Sequence, residues 1–321
     1  MPINHQALKQ HALLNRLQSL LLLGIMAGFL ALLGNILWGS SGLYILLLMG
    51  ALLLLFNPIA RPWLIMRMYK ATPLAPAQAP ALHSALQELT LRSELQYTPA
   101  LFYIPGNALN AFAVGRPNEA AIAVTDGLLR SLTTREIIAV LAHEISHIKN
   151  NDMWVMSIAD LFSRLTSALS LFGQLLLFIN LPVILLYNVH IDWLAIALLI
   201  FAPNLSALAQ LGLSRSREYA ADLHAAKLTH DPQALASALL KIEQNKGSIF
   251  ERVMLPGRRI PEPSLLRTHP PTHERVEKLL SLKHSEAESP VFADSTAYPQ
   301  PRNFQKSPQG SPHWHINGLW Y

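Results

Sequence analysis

Residues 133–150 read TTREIIAVLAHEISHIKN, and the placement of this stretch decides much of the architecture. Thr133 followed three residues later by Glu136 is a capping-box start, so the spacing predicts a helix from Thr134 to about Asn150. Ile137, Ile138, Leu141, Ile145 and Ile148 recur at helical period as an apolar stripe. At about 100° per residue, His143 and His147 point away from that stripe and share one face. Two imidazoles four residues apart can converge on a single ion. Glu144 lies to the side, suited to contact a water at the ion rather than the ion itself. The same pattern also arises by chance, as two solvated or capping histidines at a helix end. Its surroundings decide between the two.

The chain has no cysteine, so a disulfide framework and thiolate ligands are excluded and any metal site is built from His and carboxylates. A third ligand is available in residues 214–222, SRSREYAAD, where Glu218 and Asp222 are again four apart. Two histidines and a glutamate with an open fourth position make a catalytic zinc arrangement rather than a closed structural one. Asp222 can then accept the second ring N–H of a ligating histidine and hold its tautomer. Taken without the histidines, Glu218 and Asp222 read better as a salt-bridged surface beside Arg215 and Arg217.

The 321 residues are 51% hydrophobic and 14% charged, with mean hydropathy +0.27, a membrane-protein composition. The net charge of +5 does not point to nucleic acid, because Lys and Arg flank the apolar runs instead of clustering with aromatics. Leu17 to Trp38 is uncharged and long enough to cross about 30 Å of hydrocarbon, and too long for a signal-peptide core. A second run, roughly Gly42 to Ala60, follows a three-residue turn. Two later runs, about Leu165 to Tyr187 and Ile191 to Leu213, are interrupted by Gln174, Asn180, Pro182, Pro203 and Asn204. They read as further spans, the alternative being two buried helices of a soluble domain. Lys9, Arg16, Arg61, Arg67, Lys70, Lys149, Arg164, Arg215 and Arg217 all fall at one set of ends, and neither short connecting loop carries Lys or Arg. The positive-inside rule puts both termini and residues 71–160 in the cytoplasm. An even number of runs between His147 and Glu218 lets the chain leave and return to one side.

The expected class is therefore α+β, mostly α-helical: an integral membrane protein with about four transmembrane helices and a cytoplasmic domain carrying a small β-sheet. Its division is an N-terminal hairpin (1–70), the first half of the cytoplasmic domain (71–160), a second hydrophobic hairpin (161–213), the second half (214–283), and a tail (284–321) whose Ser, Pro, Gln and Asn content predicts disorder. Leu82 to Leu95 has helical spacing. Pro99 to Ile104, Ala111 to Gly115 and Ala120 to Thr125 read as strands separated by Pro-Gly and Gly-Arg-Pro turns. A second helical region continues from Glu218 to about Gly247.

With its ordered companions, HEISH resembles the HtpX-like membrane zinc metalloproteases, relatives of the CAAX prenyl proteases. The likeness covers most of residues 1–282. The resemblance implies a zincin-like domain, one Zn2+ held by His143, His147 and Glu218, and Glu144 as general base for peptide-bond hydrolysis. It further implies that Asn110, Ala111, Phe112 and Ala113 form an edge strand on which extended polypeptide pairs. His269, in Thr268-His269-Pro270-Pro271, would donate to the developing oxyanion, with Asn110 as a second donor. Substrates would be misfolded or damaged membrane proteins, at the cytoplasmic face of a bacterial inner membrane. Processing of lipidated peptides is the alternative within the protease class. A zinc-stabilised scaffold without activity has no use for Glu144. A transporter is disfavoured because the polar residues within the runs are uncharged.

Overall fold

The structure is a computed structural model describing residues 5–42, 44–46, 48, 62–186, 192–245 and 271–282. Long helices account for most of it. Helix α1 spans His5–Trp38, and Gly39, at φ +64°, turns the chain into a second helical stretch within residues 40–48. Most of the second apolar run, residues 49–60 among them, lies outside the described residues, as do His269, the predicted helix end near Gly247 and the tail after 283. Helix α2 (Pro62–Met68) then leads into a four-stranded sheet.

Strands β1 (Thr72–Pro73), β2 (Ala100–Ile104), β3 (Ala111–Arg116) and β4 (Glu119–Thr125) lie in the order β1-β2-β4-β3. β2 runs parallel to β4, while β1 on β2 and β3 on β4 are antiparallel. Strand β1 sits in a Pro-rich stretch, where an edge position tolerates Pro73, which has no N–H to give. β3 is the other edge. Gly115 sits at φ +99° there, and a Cβ would meet the Glu119 carbonyl at 2.1 Å, so only glycine fits this hairpin. Helix α3 (Pro80–Arg92) starts two residues before the predicted Leu82, on a Pro at its first turn. After the short helix α4 (Asp126–Ser131) comes α5, Thr134–Lys149.

Both halves of the capping box are made in α5: Thr133 N–H donates to Glu136 Oε2 at 2.8 Å and the Thr133 hydroxyl oxygen accepts the Glu136 N–H. Its whole apolar stripe is buried, with Leu141, Ile145 and Ile148 fully enclosed against α3 and the sheet. Helices α6 (Asp152–Leu186) and α7 (Trp193–Thr229) follow, then α8 (Pro232–Gln244) and α9 (Thr272–Leu282).

Three helices among the described residues are long and apolar enough to cross a membrane: Leu17–Trp38, Asp152–Ile184 and Trp193–Thr229. Their outward faces decide against the soluble alternative. Leu20, Phe178, Leu186, Trp193 and Leu208 are exposed in succession over these helices, and apolar surface on that scale is covered by lipid. The 37 residues of α7 extend about 55 Å at 1.5 Å per residue, well beyond about 30 Å of hydrocarbon. The helix is thus longer than a perpendicular crossing requires, and Glu218 lies in its C-terminal half.

Two of the residues that interrupt the later runs, Gln174 and Pro203, are accommodated together. Pro203 cannot offer an N–H to the Leu199 carbonyl four residues earlier. That carbonyl instead accepts from the Ser170 hydroxyl and from Gln174 Nε2 at 3.2 Å, both on α6. Ser163 and Ser206 pair 3.3 Å apart along the same seam. Replacing Ser170 by Ala together with Gln174 by Leu is expected to destabilise the hairpin by about 1 kcal/mol. Adding Pro203→Ala, which restores the missing N–H, should recover most of that loss, read as thermal melting in detergent.

Candidate metal centre

Helix α5 presents His143 and His147 one turn apart, and the last turns of α7 lie across them. The sequence expectation that both rings face away from the apolar stripe describes α5 alone; in the fold that face is covered, and both histidines are buried. Glu218 and Asp222, which read as surface when taken without the histidines, are 2% and 4% exposed.

The rings stand edge to face, with centroids 4.6 Å apart. Their Nε2 atoms are 3.1 Å apart. Glu218 brings one oxygen to 3.4 Å of His143 Nε2 and the other to 3.6 Å of His147 Nε2. A tetrahedral ion with ligand bonds of about 2.0–2.1 Å has donor atoms about 3.3–3.4 Å apart. The three observed spacings bracket that value, so the donor set fits a divalent metal in both chemistry and size. Among the described residues, His143, His147 and Glu218 form the group of ligand-type side chains with such convergence.

Each imidazole is held from behind by a carboxylate that is itself held by an arginine. His143 Nδ1 lies 3.0 Å from Asp222 Oδ1, and Arg275 of α9 grips Asp222 through two nitrogens at 2.6 and 2.7 Å. His147 Nδ1 lies 2.8 Å from Asp152 Oδ2, whose other oxygen accepts from Arg217 at 2.9 Å. Asp222 stands where the sequence placed it, against the second nitrogen of a histidine. Asp152 and Arg275 were missed. Asp152 reaches His147 because Asn151, at φ +54°, reverses the chain between α5 and α6; the Asn-Asn-Asp run at 150–152 was the available signal. Arg217, read as an inside-facing charge and as a surface neighbour of Glu218 and Asp222, is mostly buried on Asp152.

Glu144 turns toward the sheet, where its Oε2 accepts the Ala113 N–H at 2.8 Å. Ala113 therefore points its N–H away from β4, along the open edge of β3. Phe112 packs its ring on Tyr69 at 5.1 Å between centroids, and the Ala113 methyl belongs to the core. The backbone of Asn110 is tied to Thr125, whose hydroxyl contacts both its N and O at 3.0 and 2.9 Å. Residues 110–113 thus lie at and beside the outer strand, with the Asn110 backbone tied to Thr125 and the Ala113 N–H to Glu144.

A buried helix pair that focuses two imidazoles and a carboxylate, in a chain with long apolar helices and with Glu144 next to the first imidazole in sequence, is the arrangement of a membrane-bound metalloprotease. Known proteins agree. Peptidase family M48 matches residues 76–283. A protease HtpX homolog from Persephonella marina is 33% identical over 285 residues, 84% of this chain and 98% of that protein. Another, from Pyrococcus furiosus, is 34% identical over 274 residues, 81% and 93% of the two chains. The chain belongs to peptidase family M48, among relatives of the HtpX type. The crystal structure of Ste24p from S. mikatae aligns with 84% of this chain and 66% of that one, at 21% identity and TM-score 0.42.

The metal-free electrostatics carry a measurable consequence. Burial alone would lower the His143 pKa, but Asp222 and then Glu218 outweigh it and raise the ring from 6.5 to about 10. With the folded value raised, the stability contributed by protonated His143 is fully present below pH 6.5 and is lost as pH rises through about 10. A ligating imidazole must give up that proton, so metal affinity runs the opposite way, rising with pH toward the same value. Calorimetric titration of the metal-free protein with Zn2+ near pH 7, in buffers of different ionisation enthalpy, should show release of about one proton per ion from this ring. Binding without proton release would contradict the assignment.

Proposed function

We propose that this chain is a zinc-dependent endopeptidase that cleaves membrane-protein polypeptides at the inner face of a bacterial inner membrane. The observation that carries the reading is the contact between Glu144 and Ala113. It sets a carboxylate between the His143–His147–Glu218 group and the open edge of β3.

His143, His147 and Glu218 would hold one Zn2+, which when bound supplies Lewis-acid polarisation of the scissile carbonyl and acidification of a water. Two histidines, a glutamate and no cysteine suit zinc with a position left open. Glu144 takes the proton from the attacking water and passes it to the leaving amine. An extended substrate pairs with the outward N–H and C=O groups of β3, which brings its carbonyl past Glu144. Asp222 and Asp152 keep the two ligating rings in one tautomer. His269 as a donor to the oxyanion remains part of the proposal; it lies outside the described residues.

The division into N-terminal hairpin, split cytoplasmic domain and second hairpin is part of the same proposal. The length of α7 supports it: about 55 Å of helix against about 30 Å of hydrocarbon would let Glu218 reach His143 and His147 at the membrane surface. Damaged or misfolded membrane proteins are the substrates this location favours.

Glu144→Gln should retain zinc while casein cleavage in detergent falls by about 10²–10⁴-fold; a Gln variant with normal turnover would refute the role of Glu144. The orientation has its own test, since the chain is free of cysteine. A cysteine at Ser41 should react with an impermeant maleimide from the outer side of the membrane, and one at Ala77 only after permeabilisation. The reverse pattern would invert the topology.

A further inference from the structure

Arg275 is 4% exposed and spends its guanidinium on two carboxylates one helical turn apart on α7. Its Nε donates to Asp222 Oδ2 at 2.7 Å and Nη2 to Asp222 Oδ1 at 2.6 Å, while Nη1 lies 3.2 Å from Glu218 Oε2. Asp222 Oδ1 is also the atom 3.0 Å from His143 Nδ1. One planar cation is thus joined to a metal ligand directly and to another through one intervening carboxylate.

We propose that Arg275 is a positioning residue of the metal centre, holding Glu218 directly and His143 through Asp222, and so coupling the docking of α9 to metal binding. This rests on the reading of His143, His147 and Glu218 as a metal site.

The physical need is clear from the charges on α7. Glu218 and Asp222 are like charges four residues apart, which repel along a helix, and here they are buried, so each would turn away from the other if uncompensated. A guanidinium relieves that repulsion and sets direction as well, because its fork fixes the plane of the carboxylate it grips. With Asp222 in that plane, Oδ1 is left 3.0 Å from His143 Nδ1, and the opposite ring nitrogen faces His147 and Glu218. A lysine would supply charge without the fork.

Arg275 comes from a helix that is neither α5 nor α7. Helix α9 is also fastened by Tyr219, whose hydroxyl donates to Glu274 Oε2 at 2.5 Å, by Lys278 set 3.3 Å from the centre of the Tyr219 ring, and by Leu279 in the main core. These contacts would hold α9 whether or not Arg275 matters to the metal. They therefore provide the control: a purely structural arginine predicts that loosening α9 elsewhere has the same effect on the metal.

The test uses the full chain in detergent, stripped of metal and titrated with Zn2+ against a competing chelator, with circular dichroism to establish folding. Arg275→Met should weaken zinc by about 10–100-fold, the range seen when partners behind metal ligands are lost. Arg275→Lys should fall between that and wild type. Glu274→Ala, which cuts the Tyr219 contact and leaves the guanidinium, should bind zinc within about twofold of wild type. If Arg275→Met does not fold, Arg275→Lys carries the result. In the wild type, zinc should slow hydrogen exchange over residues 272–282, and in Arg275→Lys it should do so much less. Undiminished or tighter zinc binding by Arg275→Lys, or an equal loss in Glu274→Ala, would overturn the proposal. So would exchange in α9 that ignores zinc. A wild-type chain that takes up no zinc would instead sink the metal reading itself, a different result from wild-type binding with indifferent variants.

Discussion

Everything at the centre of this protein depends on a carboxylate at position 218 being delivered to two imidazoles at 143 and 147. The chain between them runs through two long apolar helices, so the delivery is made by a rigid rod. Helix α7 is unbroken from Trp193 to Thr229, so the packing of its apolar part in the membrane fixes where its polar end lies. Had the helix ended at the membrane surface, Glu218 would sit on a loop. Its position would then vary by more than a metal site tolerates.

Bringing acidic and basic groups into a buried space is costly unless each is paired. Here the solution is doubled. Arg217, Asp152 and His147 form one chain of contacts, and Arg275, Asp222 and His143 form the other. The arginines come from α7 and α9 and the aspartates from α6 and α7, so each ring needs three helices docked and the two rings together need four. Such a network is brittle to single substitutions, because removing one member leaves a buried partner uncompensated. It also explains how a surface-like string such as SRSREYAAD comes to be interior.

The two halves of the molecule are built under different solvents. Around α5 the core is enclosed, with the stripe from Ile137 to Ile148 packed on α3, the sheet and α8. Along α1, α6 and α7 only a narrow seam is buried, including Leu30, Leu33, Leu169 and Leu199, and the large side chains face outward. Polar residues appear on that seam where the backbone needs them: Ser170 and Gln174 complete the carbonyl that Pro203 leaves open. Proline is tolerated in the span because a neighbouring helix supplies the missing donors.

Much of this was legible in the chain itself, wherever the determining interaction is local. The helical period places His143 and His147 on one face, the Thr133–Glu136 capping box starts that helix, and short apolar runs bounded by Gly and Pro turns mark three strands to within a residue or two. The length of the apolar runs marks the membrane helices. Asp152, Arg217 and Arg275 were not legible, because no periodicity links them to the histidines. Asp152 depends on one left-handed residue, and Arg275 acts on a carboxylate 53 positions away. Neighbours along a helix are set by bond geometry and can be read from spacing. Partners across helices are set by packing, and only the folded molecule decides them.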